Sequence, residues 1–505
     1  MPMNLLDSSV WRAGRSVTEC RLMLQSSCRR LVLARGDCWF GDAGLDQYPV
    51  WQHLLFTVPG FWFRRSNIMT QLKQRRAAGI DVGSEQLFCA VAAGPVRIFS
   101  TFTSALIELK DHLLEQQVTT VAMEATGVYW IPVFEVLDEA GLEVCVVNAA
   151  HARNVPARKS DMKDCQWLAE LHSKQMLNSG FIPPATIREL RDYTRLRADH
   201  VQMASPHVLH MHKALDQMNI KIHEVLSDVT GASGQRLLQA IIAGERNAQS
   251  LLALCDAQVL KNKRQRMLEA LQGRWKDSQL FALRQAYENW THYQKQISAC
   301  DQQIAQVLKR LAAQQLPPPP SAAGKTKRLH KNGPDIEELG SLLRRITGGQ
   351  DLTQLPCLTD YSIMQLIAEV GTNMTRWATV KHFTAWLGLA PASRQSGKTK
   401  KSQRRFRGQA GRLFCLIAQS LARSKYLALG GFYRRIRGRR GGQVANIAAA
   451  RKLAVLFYNT LRYGWKYVEQ GLAEYEKNYK QQALKRLKAA AKRFGMQLIP
   501  EPLNA

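Results

Sequence analysis

The feature that most constrains the fold is a series of short apolar segments that begins after Arg75. Segments of four to seven residues between turn residues favour strands, and apolar residues spaced three or four apart favour helices. The predicted strands cover 78–82, 87–93, 96–99, 119–123 and 143–148, and the predicted helices cover 103–117, 128–140 and 161–177. Strands therefore come first and then alternate with helices, which predicts an α/β domain.

This order of elements is that of the ribonuclease-H-like fold, in which the first and fourth strands are neighbours and the last helix packs against them. Asp81 lies at the centre of the first strand, and Glu124 follows the fourth. Asp161 and Asp164 are three residues apart at a helix start, so they share one face. The four carboxylates are expected to converge, to repel one another, and to bind two Mg²⁺ ions suited to phosphoryl transfer.

Each of these carboxylates also has a purely structural interpretation. Asp81 alone could be a turn or strand-edge residue, and Glu124 could be a loop carboxylate. Asp161 and Asp164 could simply complement the dipole of their helix. Their order on this strand pattern favours a shared metal site over four separate structural roles.

Length and charge narrow the class of protein. The 505 residues are enough for about three domains. Seventy Lys and Arg against forty Asp and Glu leave a net charge of +30, which indicates a polyanionic partner, most economically nucleic acid.

No apolar run reaches the roughly 18–20 residues of a membrane span. The ten cysteines include no C-x-x-C pair, so neither a disulfide framework nor a zinc site is expected, and a reducing cytosol is the expected location.

The segment between Glu369 and Glu469 contains no carboxylate, and its 99 residues carry 21 Lys and Arg. A solvated surface normally mixes charges, so this composition predicts a phosphate-binding surface. Covalent chemistry here would need a hydroxyl or a thiol. Ser396 is the best candidate because a glycine follows it and cations surround it, although composition alone does not separate it from Ser393, Ser402 or Cys415. The predicted nucleic-acid-binding residues are Arg394, Lys398, Lys400, Lys401, Arg404, Arg405 and Arg407.

Changes in composition divide the chain. Residues 1–68 show no lasting periodicity and are expected to be a leader outside the fold, for example an upstream extension. From Leu280 to Leu311 apolar residues recur at steps of three and four, which predicts a coiled-coil arm, in one chain or between chains. The predicted parts are a leader (1–68), an α/β domain (69–185), a helical region (186–312), a Pro-rich basic linker (313–336), a basic, mainly helical domain (337–470) and a basic helical tail (471–505).

Several motifs resemble those of a known family. Asp81, the segment Glu-Ala-Thr-Gly-Val-Tyr at 124–129, and the segment Lys-Ser-Asp-Met-Lys-Asp at 159–164 resemble the motifs of the DEDD-type insertion-sequence transposases, the Piv-like recombinases. Gly-Leu-Ala-Pro at 388–391, followed by Gln-Ser-Gly at 395–397, resembles the C-terminal transposase domain of that family. The resemblance covers about 77–470.

The resemblance implies a RuvC-like domain in which Asp81, Glu124, Asp161 and Asp164 bind Mg²⁺. It implies that Ser396 forms a covalent phosphoserine link to DNA. It also implies a homo-oligomer, a dimer or tetramer, whose two domains complete active sites across subunits, guided by a structured bridge RNA from the element itself.

Two positions depart from the family pattern. The last domain opens with Pro356, Cys357 and Leu358, where the family usually has Pro-Gly followed by Ile or Val. Pro206 is expected to interrupt a helix that the pattern requires to be continuous.

The sequence leaves two other functions open. A Holliday-junction resolvase or related nuclease would hydrolyse DNA with the carboxylates alone, and it would not need the large carboxylate-free domain. A non-enzymatic nucleic-acid-binding protein would use only that basic domain, and it would not need converging carboxylates. The leading hypothesis is therefore a transposase that cuts and rejoins DNA.

Overall fold

The structure is a computed structural model. The chain divides into two compact units, Met1–Phe181 and Ile182–Ala505. The predicted leader, 1–68, lies outside the described residues, as do 316–331 of the predicted linker. The structure describes residues 76–92, 94–147, 161–177, 179–315, 332–391, 393–396, 399–402, 406–424 and 427–497.

The first unit contains a five-stranded mixed sheet in the order β3-β2-β1-β4-β5. β1 pairs antiparallel with β2, which pairs antiparallel with β3, whereas β4 is parallel to β1 and β5 is parallel to β4. The strands are β1 Ala77–Val82, β2 Gln86–Val91, β3 Val96–Ser100, β4 Thr120–Glu124 and β5 Glu143–Val147. The predicted element order and the predicted β1–β4 pairing are confirmed, with one change: Glu124 ends β4 rather than following it.

Helices cover both faces of this sheet. They are α1 Thr103–Glu115, α2 Trp130–Glu139 and α3 Asp161–Ser173. Ile80 and Met123 are fully buried on the face opposite α3, where α1 and α2 contribute apolar side chains such as Leu109 and Leu137. Parallel strands covered on both faces require nearly continuous apolar sequences, as β4 and β5 have. A carboxylate inside such a strand therefore does not fit this apolar pattern.

The second unit begins with a long arm of two antiparallel helices, α4 Ala185–Gln217 and α9 Asp277–Ala313. The regular apolar pattern predicted from Leu280 onward packs against α4 of the same chain. Short helices close the far end of the arm over a core that includes Met211, Leu237 and Leu283. These helices are α5 Ile222–Val225, α6 Ala232–Ala243, α7 Ala248–Ala253 and α8 Ala257–Ala270.

The predicted interruption at Pro206 is wrong, because α4 runs through Pro206 without a break. Proline removes one backbone donor and crowds the carbonyl four residues earlier, but one missing hydrogen bond does not end a helix that packs against another along its length. Packing against α9 therefore outweighs the local preference.

The rest of the second unit is mainly helical around an aromatic core. Phe383 packs edge-on against Phe414, which packs edge-on against Phe457, and the Tyr458 hydroxyl donates a 2.8 Å hydrogen bond to the Trp377 carbonyl. The helices are α10 Leu339–Ile346, α11 Asp360–Val370, α12 Val380–Trp386, α13 Gln409–Gln419, α14 Leu427–Arg440, α15 Gly442–Tyr463 and α16 Trp465–Arg493. A hairpin of β6 Ser393–Ser396 and β7 Thr399–Ser402 lies between α12 and α13. No helix in the described parts of the chain is long and apolar enough to cross a membrane.

The departure at Cys357 leaves the backbone in a conformation that suits glycine. Cys357 has φ +64°, in the left-handed region where a β-carbon crowds the backbone. The backbone at Cys357 therefore has a conformation that glycine adopts more readily than cysteine.

A buried ion pair joins the two arm helices near their base. Arg197 of α4 donates from Nε to Asp301 Oδ1 of α9 at 2.6 Å, and the two side chains are 2% and 6% exposed. Arg197 also donates to the carbonyl of Asn332 and to the hydroxyl of Tyr361 in α11. One guanidinium thus connects both arm helices to the start of the helical region that follows.

Replacing Asp301 with Ala should lower the free energy of unfolding of the second unit by about 3–5 kcal/mol, because the Arg197 charge would stay buried without its partner. Urea titration followed by circular dichroism measures this loss. The matched control is Glu189→Ala, which breaks an exposed ion pair with Arg310 between the same two helices, with side chains 37% and 57% exposed. That loss should stay below about 1 kcal/mol. Equal losses in both variants would contradict the assignment.

Candidate active site

Asp81 projects from β1 toward α3, and Gly79 makes this close packing possible. A β-carbon on Gly79 would lie 2.1 Å from the Cys165 carbonyl oxygen and 2.5 Å from the Ala169 amide nitrogen of α3. Residues two apart in a strand share a face, so Asp81 points to the same side as the absent Gly79 side chain. The one glycine in β1 therefore lets α3 approach the strand that carries Asp81.

Glu124 lies on the same face as Asp81, at the end of the neighbouring strand. β1 and β4 are parallel, with Gly79 opposite Ala122 and Ile80 opposite Met123. Continuing this register by one residue sets Glu124 beside Asp81, and parallel neighbours in register share a face. Both carboxylates are half-buried. The sheet thus brings together two carboxylates that are 43 residues apart in the sequence.

Asp164 approaches the same place from α3. The pKa of the Cys165 thiol is raised to about 11, mainly by burial, and the negative charges of Asp81 and Asp164 both raise it further. Cys165 follows Asp164 directly, and its carbonyl packs over Gly79, so α3 brings Asp164 to the sheet face that bears Asp81. With so high a pKa, Cys165 stays a neutral thiol near pH 7 and acts as packing rather than as a nucleophile.

Two side-chain contacts fix α3 on the sheet. The Thr120 hydroxyl of β4 lies 2.7 Å from His172 Nε2, and the Gln166 amide donates a 3.1 Å hydrogen bond to the Gly94 carbonyl. These contacts hold α3 at its middle and near its C-terminal end. The position of Asp164 relative to Asp81 is therefore set by the fold and not by a mobile loop.

The fourth predicted carboxylate, Asp161, is the first residue of α3, and its side chain lies outside the described part. Among the side chains that the structure describes, no three carboxylate, His or Cys groups are arranged to hold a metal ion. Asp81 and Glu124 in the sheet and Asp164 in the helix packed on it are hard oxygen ligands of the kind that Mg²⁺ and other hard divalent ions take. The chemistry of the donor set therefore fits such an ion, and Asp161 begins the helix that would complete it.

Ser396 is the last residue of β6 in the second unit. Its backbone pairs with Thr399 across the hairpin, and the neighbouring pairs are Gln395 with Lys400 and Arg394 with Lys401. Three of the predicted phosphate-binding residues thus lie in the same two strands as Ser396. Lys398, Arg404 and Arg405 lie outside the described residues.

The two ends of this hairpin segment are held together by close backbone packing. A β-carbon on Gly388, which has φ +69°, would lie 2.3 Å from the Phe406 carbonyl oxygen, and one on Gly411 would lie 2.1 Å from the Leu387 carbonyl oxygen. Arg407 is half-buried here, and its Nε has no hydrogen-bond partner among the described residues. Glycines at both ends thus fix where the Ser396 hairpin leaves the helical core and returns to it.

The sequence analysis proposed the carboxylates but did not single out Gly79, which permits the close packing of α3 on β1. A glycine inside an apolar strand was the available signal, since such a glycine often marks close approach of another backbone. Reasoning from the sequence also passed over Arg437, Arg439 and Arg440, which are exposed at the end of α14. These three arginines lie in the carboxylate-free segment but outside the basic run near Ser396.

Two family models match the chain. One, described as a transposase and built on the DEDD-type transposases of IS110 elements, matches residues 78–220. The other, described as a transposase of the IS116/IS110/IS902 family, matches residues 349–434. A comparison with curated proteins gave no match. The first match contains all four carboxylates and the second contains Ser396.

These matches, on the sheet and hairpin described above, define the chain as a transposase, an enzyme that cuts DNA and transfers the cut strand. More closely, it belongs to the DEDD-type transposases of the IS110 family. The family predicted from the motifs is confirmed, and DNA is its substrate. Nuclease domains of the DEDD type generally use divalent metal ions. The matches favour an enzyme over the non-enzymatic alternative.

Proposed function

We propose that this transposase cuts DNA with Ser396 as the nucleophile and rejoins it without an outside energy source. The observation that supports the proposal is the register of the parallel strands β1 and β4, which sets Glu124 beside Asp81 under the helix that carries Asp164, in a chain whose other catalytic candidate lies among cations. Carboxylates alone would suffice for hydrolysis. A separate basic hairpin with a serine supports covalent transfer instead.

Asp81, Glu124, Asp161 and Asp164 would hold two Mg²⁺ ions. Bound there, the ions would neutralise charge that develops on the phosphate oxygens in the transition state. The fold contributes by holding three of these carboxylates on a rigid sheet and a packed helix, so that little reorganisation is needed. Magnesium is the proposed ion because all the donors are hard oxygens.

Ser396 would attack phosphorus, forming a bond from its oxygen to phosphorus while the bond from phosphorus to the sugar oxygen breaks. The leaving sugar oxygen takes a proton, and the serine proton must go to a base. Residues 370–468 contain no carboxylate to serve as that base. We therefore assign the base to the carboxylate cluster, in the same chain or in another copy, and this supports a homo-oligomer, a dimer or tetramer.

The proposed partners are the DNA of the element ends and target, and a structured guide RNA. The net charge of +30 supports two polyanions better than one, and the cations Arg394, Lys400 and Lys401 flank the nucleophile. None of the described cysteines forms a disulfide, which supports action in a reducing cytosol.

The test is to trap the covalent link. Wild-type protein is incubated with end-labelled element-end DNA, Mg²⁺ and the transcript of the element, and the products are resolved on a denaturing gel. We expect labelled DNA that migrates with the protein and is released by protease, and no such band when EDTA is present. Cut DNA free of protein throughout the time course would favour hydrolysis, as in a resolvase, and would contradict the proposal.

A further inference from the structure

Large apolar side chains are exposed at the edge of the sheet where the carboxylates lie. Val128 is 67% exposed and Tyr129 is 46% exposed, in the turn that follows Glu124. Single exposed apolar residues are ordinary on protein surfaces. What sets these apart is their position next to a catalytic carboxylate.

The turn holds Tyr129 at a fixed place relative to Glu124. The Glu124 carbonyl accepts a 3.0 Å hydrogen bond from the Thr126 amide, and the Thr126 carbonyl accepts one of 3.2 Å from the Tyr129 amide. Gly127 has φ +55° and gives the turn its sharp bend. The next aromatic residue, Trp130, packs edge-on against Phe134, whereas Tyr129 faces solvent. The fold thus orders an aromatic ring without burying it.

A second exposed ring lies on the other side of Asp81. β3 runs parallel to β1, because both are antiparallel to β2, so Ser100 ends at the same edge as Val82. The Thr101 hydroxyl donates to the Ser84 carbonyl there, and Phe102 is 76% exposed. With strands about 4.8 Å apart, β3 and β4 are about 14 Å apart, and Asp81 lies between them.

Three described segments at this edge carry no cationic side chain. The segments 82–86, 100–104 and 124–131 contain Glu85 and Glu124 but no Lys or Arg. Side chains of these segments can therefore contact a DNA strand only through uncharged groups, apart from any contact made by metal ions on the carboxylates. Aromatic rings supply such contacts because every base has a π face, and stacking does not depend on sequence.

We propose that Tyr129 stacks on an unpaired base of the DNA strand being cut, next to the scissile phosphate, and that Phe102 supports the strand on the other flank of the carboxylates. This inference rests on the proposed role of the carboxylates in cutting. Tyr129 is a positioning residue: it holds the nucleotide so that its phosphate lies at Asp81 and Glu124, and the base must leave the double helix to reach the ring.

The experiment compares wild type with Tyr129→Ala on DNA substrates that each lack one base near the cleavage site. We expect Tyr129→Ala to lower kcat/KM on intact DNA by about 5- to 150-fold, the effect of losing one stacked base. For wild type, removing the base at one position of the DNA should lower kcat/KM by a similar factor. On that abasic substrate, Tyr129→Ala should have the same kcat/KM as wild type. Tyr129→Phe keeps the ring and should stay within about twofold of wild type, and Phe281→Ala, at an exposed aromatic on the arm, should be unaffected.

A second measurement separates this inference from the proposed function. Anisotropy of a labelled single-stranded oligonucleotide, without divalent ions, should show weaker binding to Tyr129→Ala than to Tyr129→Phe even if cleavage does not occur. Wild-type kcat/KM in Tyr129→Ala would overturn the inference. The inference would also be overturned if the losses in kcat/KM from Tyr129→Ala and from the abasic site multiplied when combined. A variant whose only defect was in binding the guide RNA would overturn it as well.

Discussion

DNA cleavage should be abolished, by at least about 1,000-fold, when Asp81 is replaced with Asn, because the change removes charge that the proposed metal ions need and costs several kcal/mol in the transition state. The amide has nearly the same shape as the carboxylate, so the packing of α3 against Gly79 should survive. Affinity for DNA should stay within a few-fold of wild type, since Asp81 is not a phosphate contact. Cleavage rates in Mg²⁺ and Kd from filter binding measure the two effects.

The matched control is Asp111→Asn, which makes the same chemical change at an exposed position on α1. It should cleave at the wild-type rate. Because Asp164 is another of the proposed metal ligands, Asp164→Asn should reproduce the Asp81→Asn result. Wild-type cleavage by either variant in Mg²⁺ would end the metal-site proposal.

Much of the first unit could be predicted from the sequence because its signals are local. Strand alternation and short apolar runs located β1 and β4 to within one or two residues, and the parallel pairing then followed from the order of the elements. The faces of Asp81 and Glu124 depend only on the two-residue period of a strand. A site built on two neighbouring strands and the helix above them is therefore visible in the sequence.

The rest depends on contacts that no local pattern carries. Arg197 and Asp301 are 104 residues apart, and their burial follows from how α4 and α9 pack. The exposure of Tyr129 beside the half-buried Trp130 follows from the direction of one turn. The helix α16 begins at Trp465, after Gly464 with φ +86°, although the change in composition suggested a boundary at 471. Composition marks where a surface changes, and backbone geometry decides where a helix begins.

Ser396→Ala should remove the protein–DNA adduct completely while the protein still binds DNA. A serine ester keeps the energy of the phosphodiester, so the cut end can be rejoined, whereas hydrolysis by water discards that energy. Alanine keeps the β6 backbone pairing with Thr399 and removes only the hydroxyl. Ser393→Ala is the matched control, because Ser393 lies in the same strand and pairs with Ser402. It should form adduct at the wild-type rate, and an adduct in Ser396→Ala would assign the nucleophile elsewhere.

Mixing Ser396→Ala with Asp81→Asn tests whether one active site draws on two copies of the chain. Each variant alone should form no adduct, because each lacks one half of the proposed chemistry. If the serine of one copy reacts at the carboxylates of another, a mixed oligomer contains an intact site made of Ser396 from the Asp81→Asn chain and Asp81 from the Ser396→Ala chain. Adduct should then return, and mass spectrometry with differently sized chains should find it only on the Asp81→Asn chain. A mixture that stays inactive while the chains are shown to co-assemble would mean that each copy supplies its own serine and carboxylates.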